Sequence, residues 1–112
     1  MPYLNPEQIV SGTMAYAVGA GKPTVATAFA YAKEVLADER GVIVPFRESE
    51  PIAEALGRLA SDERARLEMA DRAYAYTRTW VWREVGQQYS ELYHNVLADS
   101  AVAPAEVAQA SA

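Results

Sequence analysis

With 112 residues, the chain has room for one domain. Its 15 acidic side chains outweigh 10 basic ones, leaving a net charge of −5, which argues against a nucleic-acid-binding face. Cysteine is absent, so disulfides, thiolate nucleophiles and Cys-ligated zinc are excluded, and a reducing compartment fits.

An apolar content of 51% against 22% charged residues is globular rather than disordered composition. No apolar run approaches the ~20 residues of a membrane span. No basic stretch precedes an apolar one near Met1, so no signal peptide is expected, and a cytoplasmic domain is.

Near the N-terminus, Asn5-Pro6-Glu7-Gln8-Ile9-Val10-Ser11-Gly12-Thr13 offers two helix starts. Asn5 can cap a helix with Pro6 in its first turn and Gln8 closing a capping box. Alternatively Ser11 caps and Gly12-Thr13 opens the helix. The second start would leave small residues and free N–H groups at a helix N-terminus, where donors and macrodipole together favour a phosphate. Gly19-Ala20-Gly21-Lys22-Pro23 then follows a helix and precedes a strand. A phosphate-binding glycine loop has the opposite order, so Gly19 or Gly21 reads as a helix C-cap with Pro23 as the stop.

Thr24-Val25-Ala26-Thr27 and Gly41-Val42-Ile43-Val44 are short, β-branched and bounded by turn residues, which predicts two buried parallel strands. A helix over 31–36 lies between them. Two strands are few for an open sheet. The sequence therefore predicts either a marginal edge strand at Tyr3-Leu4 or completion from outside the chain.

The back half reads as helices. Ser49 is placed to cap a helix containing Pro51, with Ile52, Leu56 and Leu59 on one stripe and an exposed Glu54–Arg58 pair. Ser61 or Asp62 opens a second helix, with Leu67, Ala70 and Tyr74 on one face. Val81, Val85, Tyr89, Leu92 and Val96 mark a third, over 80–97. The alanine-rich stretch 98–112 reads as a flexible tail or a loosely docked helix.

The fold class is thus α/β, a short parallel sheet with flanking helices and a helical C-terminal half. His94 stands alone on a helix, so no metal site is expected. No Ser/His/Asp set or paired carboxylates are present, and neither a catalytic residue nor a cofactor is predicted. Four aromatics on the last pattern, Trp80, Trp82, Tyr89 and Tyr93, would expose on the order of 600–1,000 Å² if left in water. That predicts a homo-oligomer or a complementing chain.

The ordered series Ser11-Gly12-Thr13, Gly21-Lys22-Pro23-Thr24-Val25-Ala26-Thr27, Gly41-Val42-Ile43-Val44-Pro45 and Trp80-Val81-Trp82 resembles the C-terminal, donor-binding domain of group-one (family-four) glycosyltransferases. The resemblance covers about residues 1–97 and implies a partial Rossmann-like, GT-B C-terminal half. It implies that Ser11, Gly12 and Thr13 present N–H groups to the diphosphate of a nucleotide sugar, with Glu7 and Gln8 near the transferred sugar.

The chain also departs from the family pattern. The family's second glutamate, which grips the donor ribose, falls on Tyr16 or Ala15. Its phosphate-binding Arg and Lys, and its acceptor domain, lie outside this sequence. The expectation is a glycosyltransferase-like segment that binds donor weakly and does not catalyse transfer alone. The alternative is a non-catalytic oligomerisation or interaction module derived from the same fold.

Overall fold

The computed structural model describes residues 1–102. Its elements are α1 (Gly12–Gly19), β1 (Val25–Thr27), α2 (Ala30–Val35), β2 (Val42–Val44), α3 (Glu50–Ser61), α4 (Glu63–Tyr76), a 3-10 turn (Thr77–Trp80) and α5 (Trp82–Val102). The molecule is α/β and mostly helical, and β1 and β2 pair in parallel with Val25 opposite Val42 and Thr27 opposite Val44. Two compact units divide the chain, Met1–Arg78 and the segment from Thr79 onward.

In the first unit, the Met1 nitrogen donates to the Val25 carbonyl and the Met1 carbonyl accepts from Thr27 N. That is the bonding of a parallel ladder centred on Ala26. Met1 adds these two bonds without forming a third strand: the sheet among the described residues is β1 and β2 alone, and the edge strand expected at Tyr3-Leu4 does not form. Tyr3 instead accepts from Thr27 Oγ1 through its carbonyl (2.6 Å) and sets its ring edge-on to Phe29, with centroids 5.0 Å apart. Leu4 is exposed.

The strands are not buried on both faces as expected. Ala26, Thr27 and Val44 are buried, whereas Ile43 is exposed. Side chains alternate along a strand, and α3 packs on both strands, so burial is one-sided at β2. The core gathers Met14 and Val18 of α1, Phe29 and Val35 around α2, Leu59 of α3 and Met69 and Ala73 of α4.

Each short helix is closed by explicit partners. At the end of α1, Gly21 N donates to Val18 O and Lys22 N to Ala17 O, a Schellman motif with Gly21 in the left-handed region (φ +65°). Arg78 adds a donor to the Gly19 carbonyl (2.9 Å) while stacking over the Tyr74 ring. After α2, Arg40 donates to the carbonyls of Val35 (2.8 Å) and Glu34 (2.9 Å) and stacks over Tyr76. A guanidinium at a helix C-terminus satisfies orphan carbonyls and favours the dipole at once.

Ser49 sits at the start of α3 with helical dihedrals and makes no side-chain cap bond, contrary to expectation. Asp62 both ends α3 and caps α4, its Oδ1 accepting from Ala65 N (2.9 Å). On α3, Leu59 is buried but Leu56 is exposed, and Ala55 takes the inward position. On α4, the buried face is Met69 and Ala73 rather than Leu67, Ala70 and Tyr74, because Leu67 and Tyr74 remain exposed. The i,i+4 ion pair among the described residues is Arg64–Glu68 (2.8 Å), not Glu54–Arg58.

In the second unit, α5 begins at Trp82 rather than Trp80, which ends the 3-10 turn. Helix continues to Val102, so the first residues of the expected tail, 98–102, are helical, and the rest of it lies outside the described residues. No helix among the described residues is long and apolar enough to cross a membrane.

Candidate functional site

The segment before α1 is a closed turn and not the start of a helix. Asn5 Oδ1 accepts from Glu7 N (3.1 Å) and the Asn5 carbonyl accepts from Gln8 N (3.3 Å), an Asx-type turn. Its carbonyls then serve α2, whose first residue Ala30 donates to Pro6 O (2.9 Å) and whose Tyr31 donates to Gln8 O (3.2 Å). Phe29, at the N-cap of α2, has no side-chain oxygen to offer. The loop supplies those acceptors instead, which is why it is held here.

α1 opens at Ser11, as the second of the two starts predicts. Ser11 is extended (φ −144°, ψ 102°) and its Oγ accepts from Met14 N (3.2 Å). The same oxygen lies 3.3 Å from the Tyr3 hydroxyl and contacts Met1 Sδ at 3.8 Å. Ser11 is buried, so its side chain holds the helix start in place and is not itself a ligand group.

Gly12 and Thr13 are exposed, and their N–H groups have no acceptor among the described residues. Ala15 N is already bonded to Ser11 O (3.0 Å). Beyond its chain neighbours and the backbone of its own helix, no described atom lies within 4 Å of where a Cβ on Gly12 would be. The result is two adjacent free donors on open backbone at the positive end of a helix, a geometry that receives a small anion.

The neighbouring side chains add little attraction. Gln8 turns its amide back to the Val10 carbonyl (2.9 Å), and Glu7 is exposed and brings a negative charge. No Lys or Arg occurs between Asn5 and Tyr16. Tyr16 is exposed and Ala15 is half-buried. The site can orient an anion by N–H donation, and its own segment supplies no Lys or Arg to add to that attraction.

Elsewhere, His94 is exposed and its Nδ1 lies 2.7 Å from the Ser90 carbonyl. Among the described residues no group of three or more His, Asp or Glu is placed to hold a metal ion. An apolar hollow of about 210 Å³, lined by Val25, Val44, Ile52, Leu56 and Leu59 with Met1, lies where α3 leaves β1 incompletely covered. Arg40 and Arg78 were not singled out by sequence reading. Their targets, Val35 and Gly19, lie 5 and 59 residues away, and the longer link leaves no local signal.

Comparison of the chain with protein-family models, with curated proteins and with solved structures gives no match.

Proposed function

We propose that the chain is the donor-side segment of a nucleotide-sugar-dependent glycosyltransferase architecture, a partial GT-B-like Rossmann unit that holds a diphosphate weakly and does not catalyse transfer alone. The observation that carries this reading is the pair of free N–H groups on Gly12 and Thr13 at the Ser11-capped start of α1. In a transfer reaction, donors placed there would stabilise the departing diphosphate. The strand–helix–strand order that follows supports the same reading, and a chain without cysteine fits a cytoplasmic setting.

With backbone donors alone and a net charge of −5, affinity for an anion is low. Amide-resolved NMR titration of the full chain with UDP and GDP tests the reading. The expected result is millimolar-range shifts centred on the Gly12 and Thr13 amides. Shifts centred elsewhere, or none at saturating nucleotide, would overturn it, and a micromolar dissociation constant would contradict the weak-binding part.

A second reading, a non-catalytic interaction module, is favoured by the exposed apolar face of α5, where Trp82, Tyr89, Tyr93 and Leu97 all remain open.

A further inference from the structure

α5 sets its apolar side chains on one face. Trp82, Val85, Tyr89, Leu92 and Val96 recur at alternating steps of three and four residues, the a and d seam of a heptad. Trp82 is 89% exposed, and Tyr89, Leu92, Tyr93 and Val96 are all more than half exposed. Tyr89 and Tyr93 bring their rings to 6.4 Å between centroids. At ~150–250 Å² per aromatic, Trp82, Tyr89 and Tyr93 leave roughly 300–500 Å² open at these exposures, and Leu92, Val96 and Leu97, each also more than half exposed, extend the patch. With those aliphatic neighbours the patch reaches the top of the ~300–600 Å² range of an ordinary monomer and approaches the ~800 Å² that each partner of a standard interface buries.

The positions beside the seam indicate the occupant. Val81, Gln88 and Asn95 flank it on one side, Gly86, Tyr93 and Ser100 on the other, and none carries a charge. Pairing with a different helix is ordinarily specified by opposite charges at those positions. These flanking positions have none, so they do not oppose its meeting an identical face.

Orientation follows from Asp99 and Gly86. Asp99 continues the seam, so a parallel pair would set two carboxylates against each other. An antiparallel pair brings each Asp99 to the first turn of the other helix, where the dipole favours it. The antiparallel register also sets the Tyr93 ring over the partner's Gly86 and Gln88 opposite the partner's Asn95. Around Gly86, no described atom beyond its chain neighbours and the backbone of its own helix lies within 4 Å of where a Cβ would be, so a ring has room there.

We infer that α5 is a self-association element through which two copies of this chain pair as antiparallel helices, with Gly86 receiving Tyr93 of the second copy. This goes beyond the donor-site reading and does not rest on it.

Sedimentation velocity of the full chain, from nanomolar to sub-millimolar concentration, tests it. The expected species is twice the 12.2 kDa chain mass. The double variant Tyr89→Glu, Leu92→Glu should weaken pairing about 100-fold, and the thermal transition of Met1–Arg78 should be unmoved. Gly86→Leu adds apolar surface and helix propensity, yet should weaken pairing about tenfold because it fills the space Tyr93 needs. Asp99→Asn should weaken it roughly threefold. A single-chain mass throughout the range, tighter association in Gly86→Leu, or tighter association in Asp99→Asn would each overturn the inference.

Discussion

Met1–Arg78 and α5 both carry apolar side chains at regular spacing, and they treat them in opposite ways. In the first unit, Met14, Phe29 and Val18 have no exposed surface, while on α5 Trp82 is almost fully open. Helix length does not account for the difference, because the buried helices are short and α5 spans 21 residues. An apolar stripe is buried only where a second layer meets it. α1 meets α4 and α3 meets the two strands, and the ends of α1 and α2 are held by Arg78, Arg40 and the loop around Pro6. No element is packed on the apolar face of α5 among the described residues, and Trp82, Tyr89 and Tyr93 stay exposed.

The sharpest way to separate the two regions is a pair of truncations. Phe29→Ala should destabilise the first unit by about 3–5 kcal/mol in chemical denaturation, through lost burial and an unfilled cavity. Leu92→Ala, at an exposed position, should change the stability of that unit by no more than about 0.5 kcal/mol. Comparable losses for both would erase the distinction.

A smaller loss is expected at Gly41. A Cβ there would lie 2.7 Å from Leu36 Cδ2 and 2.8 Å from the Thr24 carbonyl oxygen. That oxygen is held in the ladder by Val42 N at 2.9 Å, so it cannot yield without moving β1. Gly41→Ala should therefore cost about 1–3 kcal/mol, measured by urea unfolding. No penalty would mean that β1 shifts freely.

Ser11→Ala removes the acceptor of Met14 N and should cost about 1 kcal/mol of thermal stability. It should also broaden the Gly12 and Thr13 amide resonances, because the helix start then frays.

The smallest effect is a pH dependence at Tyr31. Burial, then the Glu34 carboxylate and Tyr76, push its phenol above the usual tyrosine value of about 10. A group raised on folding contributes stability that is present below its unfolded pKa and lost as pH rises through the folded one. Stability should fall in that alkaline range, and Tyr31→Phe should flatten the fall. An unchanged profile in the variant would assign the slope to another group.

Much of the fold was legible because single residues carry unambiguous geometry. The β-branched runs placed both strands, Pro23 and Gly21 marked the end of α1, and Ser11 was one of two legible caps. Choosing between Ser11 and Asn5 needed the turn that Asn5 closes on Glu7 and Gln8. The inward face of α4 was not legible because Met69 and Ala73 compete with the larger Leu67 and Tyr74, and only the neighbouring helices decide between them. At the candidate site, the free donors of Gly12 and Thr13 followed from the cap. The commitment of Ser11 Oγ to Met14, Tyr3 and Met1 did not, since it depends on how the N-terminal segment lies.

The most direct test of the contrast is hydrogen exchange on the full chain at two widely separated protein concentrations. Amides of α1, β1 and α2 should exchange at the same rate at both, because their protection comes from a core within one chain. Amides of α5 should become slower as concentration rises, because their protection comes from a second copy. Exchange in α5 that ignores concentration, or exchange in β1 that follows it, would contradict the account.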